Sequence, residues 1–254
     1  MLTNDPKEIS LLKDSGKILA EALMMAAEAA RAGVSALELD QLVEREIKKS
    51  GGEPAFKNYK SRPNDKPFPA TLCVSVDDEV VHGIPAKDKI LKEGSIVGLD
   101  LGVIYKGFYT DAAITVPIGD VDEASINLIS AAGDALMESL KQVKPGNRIG
   151  DISFVIESIA KSQGFAPVRD LVGHGVGLSV HEAPEIPCVG KPGTGPVIKK
   201  GMVLAIEPML NAGGWQIVFD EDGWTVRTAD GSRSAHMEHT IIVTEDGCEI
   251  ITIA

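Results

Sequence analysis

The stretch RAGVSALELDQLVEREIKKSGG, beginning at Arg31, can be laid over KPGNRIGDISFVIESIAKSQGF, beginning at Lys144, at a constant offset of 113 residues. Gly33 then falls on Gly146, Leu39 on Ile152, Val43 on Ile156 and Gly51 on Gly164. The correspondence continues downstream, where KEGSIVGLD (92–100) matches KKGMVLAIE (199–207), and DAAITVPIG from Asp111 matches EHTIIVTED from Glu238. In the first of these pairs a glycine, an apolar run and a closing acid recur; in the second an acid opens a strand-like alternation. Self-similarity of this kind restricts the fold to two copies of one supersecondary unit, each reading helix, helix, strands. Two such units pack most simply about a pseudo-twofold axis. That packing brings one pair of acids from each half, Asp100 with Asp111 and Glu207 with Glu238, to the middle of the molecule.

Within the first unit, residues 5–31 open with a proline and acids and continue with apolar residues at helical spacing, which predicts a long amphipathic helix. Gly33 ends it. Ser35 caps a second helix whose Leu39, Leu42, Val43 and Ile47 share a face, and Gly51 and Gly52 stop it. PAFKNYKSRPNDKPFP is irregular and locally basic, either a solvated loop or a docking surface for an acidic partner, and it leads into the β-branched strand TLCVSV. With 254 residues, 44% of them hydrophobic, the chain is long enough for one large domain or two small ones with a substantial core. A formal net charge of −12 repels phosphate backbones and anionic membranes, so neither sequence-specific nucleic-acid binding nor membrane attachment is expected. Cys73, Cys188 and Cys248 are too few and too scattered for a disulfide framework and read as reduced thiols. The N-terminal residues lack the apolar core of a signal peptide, no run of about 18 apolar residues occurs, and a cytoplasmic location follows as the expectation.

SIVGLDLGVIYKGFYTDAAITV alternates as a hairpin, with Lys106 and Gly107 as its two-residue turn. Pairing Tyr105 with Phe108 sets Gly102 opposite Asp111. Asp100 then shares a face with Asp111, within about 7–8 Å along the diagonal. A lone acid is more often a surface charge or half of a salt bridge, but four at repeated positions inside apolar strands are not explained that way. Left unpaired, they would be desolvated and mutually repelled. Lysines and arginines lie mostly elsewhere. A pair of divalent metals bridged by carboxylates neutralises all four charges and supplies a shared hydroxide. The oxygen-rich donor set favours Mn, Fe, Co or Zn ions over a thiolate-bound structural zinc. In GHGVGLSVHEAP (173–184), His174 is flanked by glycines that let backbone crowd close, which suits a nitrogen ligand. His181 comes seven residues later, on the opposite face of an extended strand unless the glycines bend the chain. His82, in VSVDDEVVHGIP, is a third candidate, although an isolated histidine among apolar residues is more often a satisfied core group. His236 and His239 flank Glu238 and read as solvated or supporting groups. GKPGTGP (190–196) lacks the spacing of a phosphate-binding loop.

CVSVDDEVVHGIP, LDLGVIYKGFYTD, VGHGVGLSVHEAP, AIEPM and GWTVRTADGSRSAHMEHTIIVT, in this order and over almost the whole chain, resemble the type I methionine aminopeptidases. The resemblance implies the pita-bread fold, an α/β (α+β) arrangement in which duplicated helix-helix-strand units surround a curved antiparallel sheet. It implies two divalent metal ions (Co, Mn, Fe or Zn) coordinated by Asp100, Asp111, His174, Glu207 and Glu238. His82 and His181 would line the substrate site and stabilise charge there, Glu207 would accept and shuttle a proton, and Tyr59, Phe68, Cys73 and Trp224 would wall the methionine pocket. The implied activity is removal of the N-terminal methionine from peptides and nascent chains by a cytoplasmic monomer. Transient ribosome contact is compatible with the basic loop around Lys57, Lys60, Arg62 and Lys66. Two departures stand out: Val180 replaces the aromatic residue that many members carry before the second histidine, which widens the pocket, and the segment from Tyr59 to Phe68 is longer than usual. No N-terminal zinc-binding extension or large second-half insertion occurs, as in the short bacterial form. Xaa-Pro peptidases of the same fold share GHGVGLSVHEAP and the LDLG pattern, but DDEVVHGIP and SAHMEHT stand against that reading. A non-catalytic protein-binding module of this fold would have lost metal ligands, and all five are present.

Overall fold

The structure is a computed structural model that describes residues 1–253. Its first half runs α1 (Pro6–Ala29), α2 (Ala36–Lys49), β1 (Glu53–Pro54), β2 (Leu72–Val76), β3 (Glu79–Val81), β4 (Ile96–Tyr105) and β5 (Phe108–Pro117). The second begins with α3 (Glu123–Leu140), α4 (Ile149–Ser162), β6 (Ala166–Pro167), β7 (Val172–Gly175), β8 (Glu182–Pro187) and β9 (Val203–Ile206). It continues with β10 (Met209–Asn211), β11 (Ile217–Phe219), β12 (Val226–Thr228), β13 (Ser234–His236), β14 (His239–Val243) and β15 (Cys248–Ile250). No helix among the described residues is long and apolar enough to cross a membrane.

The helices start where their sequences supply oxygen acceptors for the free amides of a first turn. Asp5 accepts from the Lys7 amide at 2.8 Å ahead of Pro6. Ser35 and Glu38 form a reciprocal capping box, with the Glu38 amide on Ser35 Oγ at 3.3 Å and the Ser35 amide on Glu38 Oε2 at 2.8 Å. At the equivalent start of α4, Arg148 has no side-chain oxygen to accept, so only the return bond survives, from its amide to Asp151 Oδ2 at 2.8 Å. The repeat is reproduced in space. Isolated bridges join Ser35 to Ile90 and Arg148 to Val197, at the same two offsets by which the sequences align. Gly33 and Gly146 adopt φ of +90° and +95°, which favours glycine, and their amides donate to Leu91 O and Ile198 O.

Every strand pairing is antiparallel, and the curved layer is realised as four hydrogen-bonded sheets. The β4–β5 hairpin turns at Lys106 and Gly107, both at positive φ, and its register places Tyr105 against Phe108 and Gly102 against Asp111, as the alternation requires. β1 and β2 complete that sheet. The largest sheet of the second half follows the order β15-β14-β9-β7-β8. Between the two, β5 and β14 meet through reciprocal backbone bonds joining Ala113 and Glu238 (2.9 and 3.4 Å). Two residues along, Thr240 Oγ1 donates to Asp111 O at 2.6 Å and accepts from the Asp111 amide at 2.9 Å. Under the alignment that equates Asp111 with Glu238, Ala113 is equated with Thr240, so the two contacts exchange. This is the signature of a twofold-related interface, here within one chain.

Each half buries its own apolar face. Leu19, Val43, Ile47, Leu72, Leu99 and Leu101 pack α1 and α2 onto the first sheet; Leu128, Ala132, Ile152, Ile156, Leu204 and Ile241 pack α3 and α4 onto the second. Full burial of such a side chain contributes about 1.5–3 kcal/mol. Gly16 lies on the buried face of α1, where an added methyl would overlap the carbonyl oxygen of Ile251. Alanine improves helix propensity by about 1 kcal/mol, but overpacking against fixed backbone costs about 1–3 kcal/mol. Gly16→Ala is therefore expected to lower the midpoint of urea unfolding; an unchanged or raised midpoint would show that the C-terminal segment yields freely.

Candidate metal centre

A cleft opens at the seam, and all eleven side chains singled out from the sequence line it, together with Phe56 and Ser61. The first half supplies Asp100 from β4, Asp111 from β5, Cys73 from β2, His82 immediately after β3, and Tyr59 and Phe68 from the irregular loop. The second supplies His174 from β7, Glu207 after β9, Glu238 before β14, His181 from the β7–β8 connection and Trp224 ahead of β12. His174 Nε2 lies 3.3 Å from Glu207 Oε1 and 3.9 Å from Asp111 Oδ2. Donor atoms of Asp111, His174 and Glu238 all lie within 4.8 Å of one another, and so do those of Glu207, His236 and Glu238, so Glu238 is common to both groups.

The chain reverses between the two histidines of GHGVGLSVHEAP. β7 ends at Gly175, Gly177 takes a positive φ, and His181 returns to stack edge-on against His174 with ring centroids 4.4 Å apart. Glycine is needed on this path because methyl groups at Gly173 and Gly175 would overlap the carbonyl oxygens of Ala205 and Ala183. His82 is held in the left-handed region at φ 59°, and Gly83 beside it tolerates no side chain against Val74 O. A non-glycine residue in that region carries strain, which here aims an imidazole into the cleft.

The acids are buried without ordinary partners. Asp100 Oδ1, Asp111 Oδ1, Glu238 Oε1 and His236 Nε2 make no hydrogen bond, and among the described residues no lysine or arginine pairs with Asp100, Asp111, Glu207 or Glu238. His174 Nδ1 lies 3.0 Å from Gly175 O, an acceptor, which places the proton on Nδ1 and leaves the Nε2 lone pair facing the carboxylates. A lone pair that close to a carboxylate oxygen calls for a cation between them. The donor set of carboxylates and one imidazole suits a hard or borderline divalent ion, so the residues present fit a metal.

Burial pushes the Asp100 carboxyl up to about 7. Asp111 and Glu238 are also driven well above the usual range, by burial first and then by the neighbouring carboxylates. Glu207 behaves differently: burial raises it, but the imidazoles around it, His236 foremost, outweigh burial where they carry a second proton and hold its carboxylate below the ordinary value. Desolvation by the cleft walls lowers His82 and His181 to about 4, so both imidazoles are neutral near pH 7. Burial raises the Cys73 thiol well above its usual value, leaving a neutral apolar wall.

His236 is the residue whose place the sequence did not reveal. It is buried at 3% exposure rather than solvated, with Nε2 3.5 Å from Glu207 Oε2 and 3.8 Å from Glu238 Oε2. The signal was the alternation in AHMEH, which puts His236 and Glu238 on one side of an extended chain. His239 lies on the other side, with Nδ1 3.0 Å from Thr252 Oγ1. Also unforeseen was buried Glu79, which accepts from Lys89, Arg227 and the Val76 amide and fixes the strand that ends at His82. Val180 packs with Phe56, Phe68 and Cys73 on the apolar wall.

A duplicated α/β fold with buried carboxylates and an imidazole converging at its seam defines a metallohydrolase. Residues 10–245 match metallopeptidase family M24, and the chain belongs to that family. It is 42% identical over 253 residues to a methionine aminopeptidase of Clostridium perfringens, covering 100% of this chain and 99% of that one. The crystal structure of a methionine aminopeptidase from Thermotoga maritima matches with a TM-score of 0.96 at 46% identity and full coverage of both chains. A prolidase from Pyrococcus horikoshii, 24% identical with a TM-score of 0.78 and 63% of its length covered, shares the pita-bread fold alone.

The raised carboxyls make the metal-free protein sensitive to pH. An acid whose folded pKa exceeds its unfolded value stabilises the fold while protonated, and that stability is lost as pH rises through the folded pKa. Between about pH 6.5 and 8, His82 and His181 are neutral when folded and pass from half-protonated to neutral when unfolded, an opposing contribution that the three raised carboxyls together outweigh. The chelated protein is therefore expected to lose thermal stability over that window, and Asp100→Asn to flatten the slope. A wild-type Tm that rises across the window without metal would contradict the assignment.

Proposed function

We propose that the chain removes the N-terminal methionine from peptides and nascent proteins, and that it does so as one catalytic domain over residues 1–254, because both halves contribute to its cleft. The observation that carries this reading is a partnerless buried carboxylate cluster opening directly onto an apolar pocket. Asp100, Asp111, His174, Glu207 and Glu238 hold two divalent metals, Mn, Fe, Co or Zn. When bound, the metals supply a water acidic enough to attack a peptide carbonyl near neutral pH.

The remaining work falls to the protein's own groups. Tyr59, Phe68, Cys73 and Trp224 enclose the methionine side chain, with Phe68 and Trp224 edge to face at 5.3 Å, a surface that suits a thioether. Glu207, kept ionised by the His236 imidazole 3.5 Å away, accepts the proton of the attacking water and returns it to the leaving amine. His82 and His181 are neutral and donate N–H groups to the substrate amide and to the oxygen on which charge develops. We place the enzyme in the cytoplasm as a monomer. Exposed Lys60, Arg62 and Lys66 form no ion pair among the described residues and are available for transient ribosome contact, whereas Lys57 is engaged by Glu44 at 2.8 Å.

Incubation of manganese-loaded protein with Met-Ala-Ser and Ala-Pro-Ser peptides tests this directly. Methionine released from the first alone is the expected result; alanine released from the second would assign an Xaa-Pro peptidase, and no release from either a non-catalytic module. Asp111→Asn is expected to lower bound metal and turnover together. His82→Ala is expected to keep its metal while turnover falls about 10²–10³-fold, and loss of metal would make His82 a ligand instead.

A further inference from the structure

Tyr59 and His181 lie 122 residues apart and in different halves, yet Tyr59 Oη sits 2.7 Å from His181 Nδ1. We propose that Tyr59 is a positioning residue: its ring walls the methionine pocket while its hydroxyl donates to His181 Nδ1, fixing the His181 proton on Nε2, where it serves the substrate. One residue thereby links recognition of the side chain to the competence of the donor. The inference rests on the reading of His181 as a donor to substrate.

The direction of the bond follows from the groups. A neutral imidazole carries one N–H, and a phenol has a single proton to give. Among the described residues the Tyr59 hydroxyl has no other hydrogen-bond partner, so donation to the unprotonated Nδ1 satisfies both groups. Had Nδ1 kept the proton, Nε2 would offer the cleft a lone pair. The ring is held between Tyr59 and His174, with centroids 5.2 and 4.4 Å away, so which of its nitrogens carries the proton decides what it offers the cleft.

Both partners are held by backbone. The Tyr59 amide donates to Phe56 O at 2.9 Å, the Phe68 amide to Tyr59 O at 2.8 Å, and Trp224 Nε1 to Lys66 O at 3.1 Å, so the loop is tied to itself and to the opposite wall. On the other side, Ser179 Oγ donates to His181 O at 2.9 Å, and Glu182 Oε1 accepts from the Leu178 and Ser179 amides at 2.6 and 3.0 Å. A side chain that displaces the Tyr59 ring would disturb this pair, so discrimination is expressed in turnover as well as in binding.

Tyr59→Phe keeps the wall and removes the donor. With Met-Ala-Ser, kcat is expected to fall about two- to tenfold, the worth of one neutral hydrogen bond, with KM within about twofold and metal content unchanged. Tyr59→Leu should raise KM as well. In zinc-loaded protein labelled with ¹⁵N-histidine, the His181 Nδ1 resonance should carry the shift of a hydrogen-bonded acceptor in wild type and lose it in Tyr59→Phe. An Nδ1 resonance indifferent to the substitution overturns the proposal whatever happens to kcat, and so does an effect confined to KM. Should wild type release no methionine, the functional reading fails, while the resonance still decides the hydrogen bond.

Discussion

Carboxylates buried where no lysine or arginine reaches them set the terms on which this molecule folds and works. Removing an ionised carboxylate from water costs several kcal/mol even after relaxation, and Asp100, Asp111 and Glu238 each present a buried oxygen with no hydrogen-bond donor. Such a cluster persists in only two ways: its members take up protons, as the raised carboxyls indicate, or cations replace those protons. On the proposed reading the native state is linked to metal through the same groups that give the cleft its chemistry.

The duplicated architecture puts the acids where this linkage is strongest. Each half contributes a strand whose apolar faces anchor it in its own core while the seam faces the other half. The reciprocal contacts of Ala113 with Glu238 and of Asp111 with Thr240 hold two of the acids by their backbones. Rigid backbone on both sides keeps like charges close when repulsion would spread them. The asymmetry of the site comes from elsewhere, in the irregular loop of the first half and the glycine-rich turn of the second. These bring a pocket wall and the His181 imidazole to one side of the cluster, where the end of β3 adds His82.

Much of this was legible in the residues. The offset between RAGVSALELDQLV and KPGNRIGDISFVI recurs as paired bridges at Ser35 and Arg148, and the hairpin register followed from Lys106–Gly107 and simple alternation. Local rules sufficed there because the contacts are local or repeated. The residues alone leave His236 open between a solvated and a supporting group, because its burial depends on Glu207 and on a sheet formed by distant segments, none of which its neighbours in sequence reveal. The Glu79–Arg227 clamp joins residues 148 positions apart, and the Tyr59–His181 bond joins the two halves; neither leaves a periodic trace. The seven-residue gap between His174 and His181 looked awkward only for an extended strand, and the reversal after Gly175 removes the difficulty.

Anomalous diffraction at the manganese absorption edge, from crystals grown at neutral pH with excess manganese, addresses the central electrostatic claim most directly. The expected result is anomalous density enclosed by Asp100, Asp111, His174, Glu207 and Glu238. An empty seam, with those carboxylates turned outward or bonded to other donors, would contradict it.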